Sequence, residues 1–346
     1  MDTTKKKIGV AMSGGVDSTV CAARLRENHT VHGFFMDIGL PDREKQIDRV
    51  GRVAAGLDIP LEIVDLSRSF QQEVIDYFRR SYHAGKTPNP CVICNPLIKF
   101  GKLLERVRRC GMDKMATGHY VRLQRDDKGF HLLKGRDTKK DQSYFLCGLN
   151  REQLSHLLFP LGDLTKEEVY HQARGLGFSQ FQGSGTESQD VCFLQNRSVA
   201  DFLKEETDWA KGDIVTANGD KVGDHDGFFQ YTIGQRRGLG ICDSTPSYVV
   251  ALDAGKNRVI VGKAEGLWRR EFLVSRMNWI CGSPPPLPLR TMVRIRSRHH
   301  ETRAEVIRAG EFYKVIFDQP QRAITPGQFA VLYQGDEMIG GGEIAR

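Results

Sequence analysis

Within the first 145 residues, short apolar runs alternate with longer segments whose apolar residues recur at helical spacing. Four of these runs are typical of buried strands: Ile8–Met12, Val31–Met36, Leu61–Leu66 and Lys114–Thr117. Strands that alternate with helices predict a parallel sheet with right-handed crossovers and a ligand site at the carboxyl ends of the strands. We therefore expect an α/β domain with a Rossmann-like parallel sheet over residues 1–205, which turns mainly helical from about residue 146.

The pattern changes after Trp209 to short apolar runs separated by turns rich in glycine and aspartate. Asn218-Gly219 is a pair favoured in tight β-hairpins. The segment Ser283–Pro288 has four prolines, which is typical of a stiff connector between two β-rich parts or of an edge loop. These features predict a small β domain over residues 206–270 and a C-terminal β-barrel over residues 271–346.

Composition limits the class of protein further. Hydrophobic residues make up 40% and charged residues 27% of the 346 residues, as in ordinary globular proteins. No apolar run approaches the ~18 residues of a membrane span, and no secretory apolar stretch follows Lys5–Lys7, so we expect a cytoplasmic protein without a membrane partner. Eight cysteines then predict thiols for chemistry, metal binding or packing rather than a disulfide framework.

The net charge of +7 is compatible with a polyanionic partner. Period-two alternation in the segment that begins at Met292 would place Arg294, Arg296 and Arg298 on one face of a strand. Such a row of arginines suits the phosphates of a nucleic acid. The solvated outer face of a small barrel has the same pattern, so the row by itself leaves both interpretations open.

The segment Ser13–Ser18 (sequence SGGVDS) follows the first apolar run directly and precedes a helical stretch. Its two glycines, its backbone N–H groups and hydroxyls, and the N-terminal end of the next helix predict an anion-binding turn. The Lys-Ser/Thr pair of a Walker A loop is missing, and Asp17 lies inside the turn instead. A carboxylate beside phosphates would suit Mg²⁺, whereas the simpler alternative is a glycine turn that caps a helix.

This segment resembles the PP-loop of the N-type ATP pyrophosphatases, enzymes that adenylylate a substrate and release pyrophosphate. Four later blocks narrow the resemblance to one family: Thr87–Asn95, Ala116–Tyr120, Lys140–Leu146 and Ser188–Phe193. Two more, Gly234–Gly240 and Thr325–Gln328, extend the match nearly to the C-terminus, and all six follow the order of that family's motifs. Together they resemble the tRNA-specific 2-thiouridylases, which place sulfur on C2 of the wobble uridine, position 34. The resemblance implies a catalytic domain of the adenine nucleotide alpha-hydrolase type and a tRNA-uridine 2-sulfurtransferase.

Replacing the C2 oxygen of uracil by sulfur requires a leaving group, which adenylylation supplies, and a nucleophilic sulfur, which a cysteine persulfide supplies. By its place in the motifs, Cys94 corresponds to the family's nucleophile and Cys192 to its persulfide carrier. Cys91 stands where many relatives carry an aspartate that serves as an acid/base or contacts the target base. The alternative is a [4Fe-4S] cluster on Cys91, Cys94 and Cys192, with one iron left open to bind sulfide.

The resemblance also implies binding residues, with ATP and Mg²⁺ as cofactors and Mg²⁺ held through Asp17. Those for ATP are Ala11, Met12, Ser13, Gly14, Gly15, Val16, Asp17, Ser18, Met36 and Gly118. Those for the target base and the rest of tRNA are Asn89, Pro90, Cys91, His119, Lys140, Asp141, Gln142, Arg298, His299 and Gln328. The implied partners are tRNA and a persulfide donor, either a cysteine desulfurase or a relay protein.

The chain departs from the family pattern at two places, the short segment Asp37–Asp42 after Met36 and Pro96, where Arg or Lys is usual. Two other functions remain open. A small-molecule ligase of the same ATP-pyrophosphatase class would need an ammonia source or an amino-acid pocket rather than paired cysteines. A non-catalytic RNA-binding protein with an inactive nucleotide fold would not consume ATP.

Overall fold

The computed structural model describes residues 5–178, 191–195, 197–204, 209–241 and 244–345. The strands are β1 (Lys7–Met12), β2 (Thr30–Asp37), β3 (Leu61–Asp65), β4 (Lys114–Ala116), β5 (Val121–Asp126), β6 (Gly129–Lys134), β7 (Leu157–Leu158), β8 (Gly212–Thr216), β9 (Lys221–His225), β10 (Tyr248–Asp253), β11 (Arg258–Gly262), β12 (Trp268–Trp279), β13 (Leu289–Arg294), β14 (Thr302–Ala309), β15 (Phe312–Arg322), β16 (Phe329–Gln334) and β17 (Glu337–Ile344).

The helices are α1 (Val16–Arg26), α2 (Arg43–Gly56), α3 (Ser67–Phe70), α4 (Asp76–His83), α5 (Pro90–Cys94), α6 (Leu104–Arg109), α7 (Arg151–Ser155), α8 (Lys166–Gly175) and α9 (Val199–Lys204). Two π-helical segments join neighbouring helices: Gln71–Ile75 between α3 and α4, and Asn95–Leu103 between α5 and α6. Among the described residues, we find no helix with the length and apolar character that a membrane crossing requires.

The N-terminal sheet has the strand order β3-β2-β1-β4-β7, and all neighbouring strands are parallel. Alternate residues of β1 belong to different cores: Ile8 and Val10 pack into one hydrophobic cluster, and Ala11 packs against the other. Burial of both faces explains why the strands read as continuous apolar runs. The predicted Rossmann-like sheet is confirmed, and its fifth strand, Leu157–Leu158, was missed because two residues carry no periodic signal.

A closed antiparallel barrel forms from β12-β15-β14-β13-β16-β17, because β12 pairs with β17 as well as with β15. The predicted C-terminal barrel is therefore confirmed. The segment Ser283–Pro288 lies between β12 and β13 of this barrel. Of the two interpretations of its prolines, the loop is right and the connector between β-rich parts is wrong.

The hairpin β5–β6 belongs by sequence to the α/β region, yet it extends the barrel sheet. Leu132 of β6 pairs with Met338 of β17, and Leu133 pairs with Glu337. Asn278 of β12 adds to this connection by donating hydrogen bonds to the carbonyls of Cys147 and Leu149. The N-terminal and C-terminal parts thus share one eight-stranded sheet, which local patterns did not predict.

A four-stranded sheet of order β10-β11-β8-β9 lies between these parts in sequence. Its hairpin β8–β9 turns through Asn218-Gly219, and Gly219 has a φ of +94°, which glycine adopts without strain. The predicted Asn-Gly hairpin and small β region are therefore present.

Where the hairpin β5–β6 packs on the barrel, a histidine between two carboxylates should make the stability of the fold depend on pH. His131 Nδ1 lies 2.7 Å from Glu337 and its Nε2 lies 2.9 Å from Asp126, and both carboxylates raise the pKa of His131 above its usual 6.5. Because the folded pKa exceeds the unfolded one, this stabilisation is complete below about pH 6.5 and is lost as the pH rises through the folded pKa. Such pairs contribute ~0.2–1 kcal/mol.

We expect the melting temperature of the wild type to exceed that of His131→Gln by about 1–3 °C at pH 6 and to match it at pH 8.5. Differential scanning calorimetry at both pH values measures this difference. A difference that is constant with pH would contradict a role for the imidazolium.

Candidate active site

The segment Ser13–Ser18 forms the turn between β1 and α1. No side chain caps the first N–H groups of α1, whose N-cap is Gly15, so these donors stay available to an anion. Gly14 has a φ of +71°, and a Cβ there would lie 3.1 Å from the backbone nitrogen of Val50. Glycine is required at this position both for the backbone conformation and for the approach of α2.

Internal hydrogen bonds fix the shape of this turn. Ser18 Oγ accepts from the Ser13 N–H at 3.2 Å and donates to the Gly15 carbonyl at 3.0 Å. Thr19 donates to the same carbonyl at 2.9 Å, and Arg49 donates to the Ser13 carbonyl at 3.1 Å. The turn is therefore preorganised for an anion before one binds.

The charge of the Asp17 carboxylate is already balanced by a buried partner within the protein. Its Oδ1 accepts from the hydroxyl of Tyr120 and from the ammonium of Lys166, each at 2.7 Å. Lys166 is only 8% exposed, and its ammonium lies 5.6 and 4.9 Å from the ring centroids of Tyr120 and Tyr170. Mg²⁺ at Asp17 would compete with this buried cation, so the described residues do not fit Asp17 as a metal ligand.

Lys166 is a functional candidate that the sequence reasoning missed, because the local pattern around it, Thr165 followed by Glu168, indicates only a helix capping box. That box is present: Thr165 and Glu168 exchange hydrogen bonds at the start of α8. A lysine in the first turn of a helix is disfavoured by the helix dipole, and this was the available signal. Its partner Asp17 lies 149 residues away in sequence, so no local pattern identifies the pair.

Gly118 follows β4 and lies against the start of α1. A Cβ at this position would be 2.9 Å from the backbone carbon of Asp17. Met36, at the end of β2, is half-buried and packs beside two hydrophobic clusters. The predicted ATP-binding residues thus come from adjacent strand ends, as the parallel sheet requires.

The segment that carries Cys91 and Cys94 is held in place by a helix cap and by contacts with the barrel. Asn89 caps α5 through Val92, and α5 carries Cys91 and Cys94 one turn apart. Upstream, Thr87 donates its N–H to the Pro326 carbonyl and accepts from Gln328 Nε2, both at 2.9 Å. Gln328, predicted to contact tRNA, therefore also positions this loop.

Cys192 lies in the same region, although it belongs to a much later segment of the chain. Its neighbour Phe193 is buried among Phe70, Phe78 and Phe202, and Cys94 packs against this cluster. The first three residues of its motif, Ser188-Gln189-Asp190, lie outside the described residues. The structure thus brings together the two cysteines that the motifs singled out.

All three thiols are shifted toward their protonated forms. Burial raises the pKa of Cys94 to about 12, and the nearby thiols of Cys192 and Cys91 act in the same direction. Surrounding atoms raise the pKa of Cys192 to about 11, although part of its surface faces solvent, and burial also raises the pKa of Cys91. Each thiol needs a further positive influence to become a nucleophile at neutral pH.

His119 follows β4 and has a neutral ring. Its Nδ1 is 2.7 Å from the Thr117 hydroxyl, and its ring packs against Phe100 and Phe159. Burial, and secondarily the charge of Lys99, lower the pKa of His119 well below 6.5. A neutral imidazole suits hydrogen bonding to an uncharged base better than it suits phosphate binding.

Comparisons with known proteins decide the family. Family models described as tRNA methyl transferase HUP domain, tRNA methyl transferase PRC-barrel domain and aminomethyltransferase beta-barrel domain match residues 6–196, 200–263 and 269–344. A tRNA-specific 2-thiouridylase MnmA from Desulfotalea psychrophila is 47% identical over 343 residues, which cover 98% of this chain and 99% of the relative. The chain belongs to the tRNA-specific 2-thiouridylase family.

Two further relatives with the same name come from Syntrophotalea carbinolica and Geobacter metallireducens. They are 43% identical over 356 residues and 42% identical over 362 residues. The alignments cover 100% and 99% of this chain, and 100% and 98% of the relatives. The similarity therefore extends through the PP-loop, the cysteine motifs and the barrel.

This 2-thiouridylase family member does not have the predicted row of surface arginines. Strand β13 ends at Arg294, so Arg296 and Arg298 lie beyond it, and of the three only Arg298 is exposed. Arg294 pairs at 2.8 Å with Asp141, whose carboxylate is 2% exposed. Arg296 donates to the Ala323 carbonyl at 2.7 Å. Alternation within one strand does not persist past its end, where the chain turns inward.

The other residues predicted to contact tRNA differ in their surroundings. Gln142 accepts from the Tyr120 N–H at 2.9 Å, and Asp141 accepts from Ser143 and Gly135 as well as from Arg294. His299 is half-buried and follows the exposed Arg298. Asp141 is therefore a structural carboxylate in this member of the 2-thiouridylase family, while Arg298 keeps a surface position suited to phosphate.

The two departures from the family pattern have structural counterparts. After Met36, Asp37 is buried, accepts from the Gly39 N–H at 3.0 Å and pairs with Arg43, so the short segment forms a tight turn. Pro96 lies in the π-helical segment Asn95–Leu103.

The described residues show no preformed iron–sulfur site. No three of their His, Cys, Asp or Glu side chains gather into a group able to hold a metal ion.

Proposed function

We propose that this protein thiolates C2 of the wobble uridine at position 34 of tRNA, giving 2-thiouridine, AMP and pyrophosphate. The observation that carries the proposal is the placement of Cys94 and Cys192 in one region, on a fold that also holds a preorganised PP-loop. The names of the relatives, tRNA-specific 2-thiouridylases, support the same reaction. Two adjacent thiols favour sulfur transfer over the methyl transfer in the name of the family model.

The first step activates the C2 oxygen. This oxygen attacks the α-phosphorus of ATP, an O–P bond forms, and the bond from the α-phosphorus to the leaving pyrophosphate breaks. The uncapped N–H groups of α1 bind the phosphates, and Lys166 balances the charge of the Asp17 carboxylate beside them. The target base must leave its stack to reach the site, and we assign neutral His119 to hydrogen-bond it, a role that its uncharged ring supports.

The second step delivers sulfur. A donor protein first leaves a persulfide on Cys192, whose terminal sulfur then bonds to C2 as AMP departs with the former C2 oxygen. Cys94 attacks the sulfur of Cys192, the bond to the delivered sulfur breaks, and a Cys94–Cys192 disulfide remains beside the C2 thiocarbonyl. A cellular thiol reductant restores both cysteines before the next turnover.

We assign the tRNA interface to the exposed Arg298 with His299, to Lys140 and to the loop Asn89–Cys91. We also propose that catalysis belongs to residues 1–205, that residues 206–270 form the central small domain, and that residues 271–346 form the tRNA-contacting barrel. A cytoplasmic location and a cysteine desulfurase or relay protein as donor complete the proposal.

The test is a single-turnover reaction of the protein with unmodified tRNA, Mg-ATP and a persulfide-generating desulfurase, followed by nucleoside mass spectrometry. We expect 2-thiouridine and pyrophosphate, both dependent on tRNA. Pyrophosphate release that tRNA does not stimulate would favour the small-molecule ligase. Binding of tRNA without consumption of ATP would favour an inactive nucleotide fold.

Substituting Cys91 by aspartate separates the persulfide relay from the cluster mechanism. We expect Cys91→Asp to keep part of the thiolation activity, because the relay needs only Cys94 and Cys192. The measurement is the same reaction, with iron and acid-labile sulfide assayed on anaerobically purified protein. Stoichiometric cluster in the wild type that is lost in Cys91→Asp together with activity would overturn the relay.

A further inference from the structure

Lys99 lies on the π-helical segment Asn95–Leu103 that directly follows Cys94. Its charge acts on Cys91, Cys94, Cys192 and His119, which come from α5, from the segment after residue 190 and from the end of β4. Lys99 is half-buried. Among the described residues, no aspartate or glutamate forms a salt bridge with Lys99. No carboxylate in those ranges therefore balances its charge.

The π-helical segment Asn95–Leu103 explains how Lys99 reaches the cysteines. In an α-helix, residues five apart lie on different faces, because five residues span almost one and a half turns. The wider π-helical turn stacks residues five apart, so it brings Lys99 to the face of Cys94. π-helical turns are rare and occur often at functional sites.

The sequence builds and supports this wide turn. Pro96 has no N–H and cannot make the α-helical bond to the Val92 carbonyl. Gln153 Nε2 donates to the carbonyls of Pro96 and Phe100 at 2.8 and 3.0 Å. Gly101 gives the room, because a Cβ there would lie 2.8 Å from the Pro96 oxygen. Pro96, Gly101 and Gln153 thus together specify the wide turn.

We propose that Lys99 is the cation that stabilises the reacting sulfur at Cys94, and the negative persulfide brought by Cys192, during sulfur transfer. The proposal rests on the sulfur-transfer function above and adds the residue that activates its nucleophile. Burial and neighbouring thiols oppose ionisation of Cys94, and the positive charge of Lys99 favours it. A cation next to a thiol favours the thiolate, which is the attacking form. Besides the three thiols, the charge of Lys99 acts on His119, which is neutral.

The test compares Lys99→Met, which removes the charge, with Lys99→Arg, which keeps it. Lys102→Met is the matched control, because Lys102 is exposed on the same π-helical segment. The rate of Cys94 alkylation by iodoacetamide, resolved by peptide mass spectrometry on protein shown to be free of iron, is followed from pH 7 to 10. Circular dichroism verifies that each variant is folded, and Lys99→Gln replaces Lys99→Met if the latter is not.

We expect Lys99→Met to alkylate Cys94 about tenfold more slowly at pH 8, with the pH profile displaced upward by about one unit. Lys99→Arg and Lys102→Met should follow the wild type. Unchanged alkylation in folded Lys99→Met would overturn the proposal, even if the wild type thiolates tRNA. A displaced profile in a protein that makes no 2-thiouridine would uphold the role of Lys99 and refute the proposed function.

Discussion

Replacing Cys94 by alanine should abolish the formation of 2-thiouridine but leave tRNA-dependent pyrophosphate release. The expected separation follows from the two steps, since adenylylation of the C2 oxygen uses no thiol, whereas displacement of the transferred sulfur from Cys192 does. Cys192→Ala should lose thiolation in the same way, because no persulfide can then form there. The measurements are nucleoside mass spectrometry and a pyrophosphate assay on the same single-turnover reaction.

Cys281→Ala is the matched control for these variants, because Cys281 is an exposed thiol in the barrel part of the chain. It should thiolate tRNA at the wild-type level. Peptide mass spectrometry under non-reducing conditions should also find a Cys94–Cys192 disulfide after one turnover of the wild type. Thiolation by Cys94→Ala at more than background would contradict the relay.

Replacing Lys166 by methionine should have the second largest effect, a loss of ATP-dependent pyrophosphate release of about 100-fold or more. The variant leaves the partly buried carboxylate of Asp17 without its cation, next to where the negative phosphates bind. Glu167→Gln, on the exposed side of the same helical turn, is the control and should retain activity. Pyrophosphate release with tRNA present, measured against ATP concentration, gives the effects on kcat and KM.

A double variant distinguishes a structural from a functional role of this ion pair. Lys166→Met alone should destabilise the fold by about 1–3 kcal/mol, because the Asp17 carboxylate loses a charged hydrogen bond. Adding Asp17→Asn should recover part of that stability, since no unpaired charge remains. Activity should not recover. Recovery of both in the double variant would show that the pair serves only the stability of the fold.

Several features of this protein followed from local sequence. Alternating apolar runs predicted the parallel sheet, and Asn218-Gly219 predicted the β8–β9 hairpin of the four-stranded sheet. Thr165 and Glu168 match the capping box that begins α8. Each of these signals relates a residue to its own element, through side-chain periodicity or a turn conformation, so no distant contact is needed to interpret it. The SGGVDS loop is of the same kind, because its anion-binding turn uses its own backbone and the next helix.

Other features depended on contacts between distant segments. The pairing of β6 with β17 joins the α/β region to the barrel, and Lys166 meets Asp17 across 149 residues. The predicted arginine row was wrong because Arg294 turns inward to Asp141, a partner that alternation along one strand does not record. The function of Lys99 depends on a π-helical turn and on thiols from two other segments.

The sequence by itself determined the fold class, the position of the Ser13–Ser18 turn between a strand and a helix, and the two cysteines on which the resemblance to the 2-thiouridylases depends. The tertiary structure alone decided which charges surround those groups. The reason is physical: backbone conformation and side-chain periodicity are local and leave a pattern in consecutive residues. The pKa of a thiol or the partner of a carboxylate is set by burial and by charges that any part of the chain can contribute.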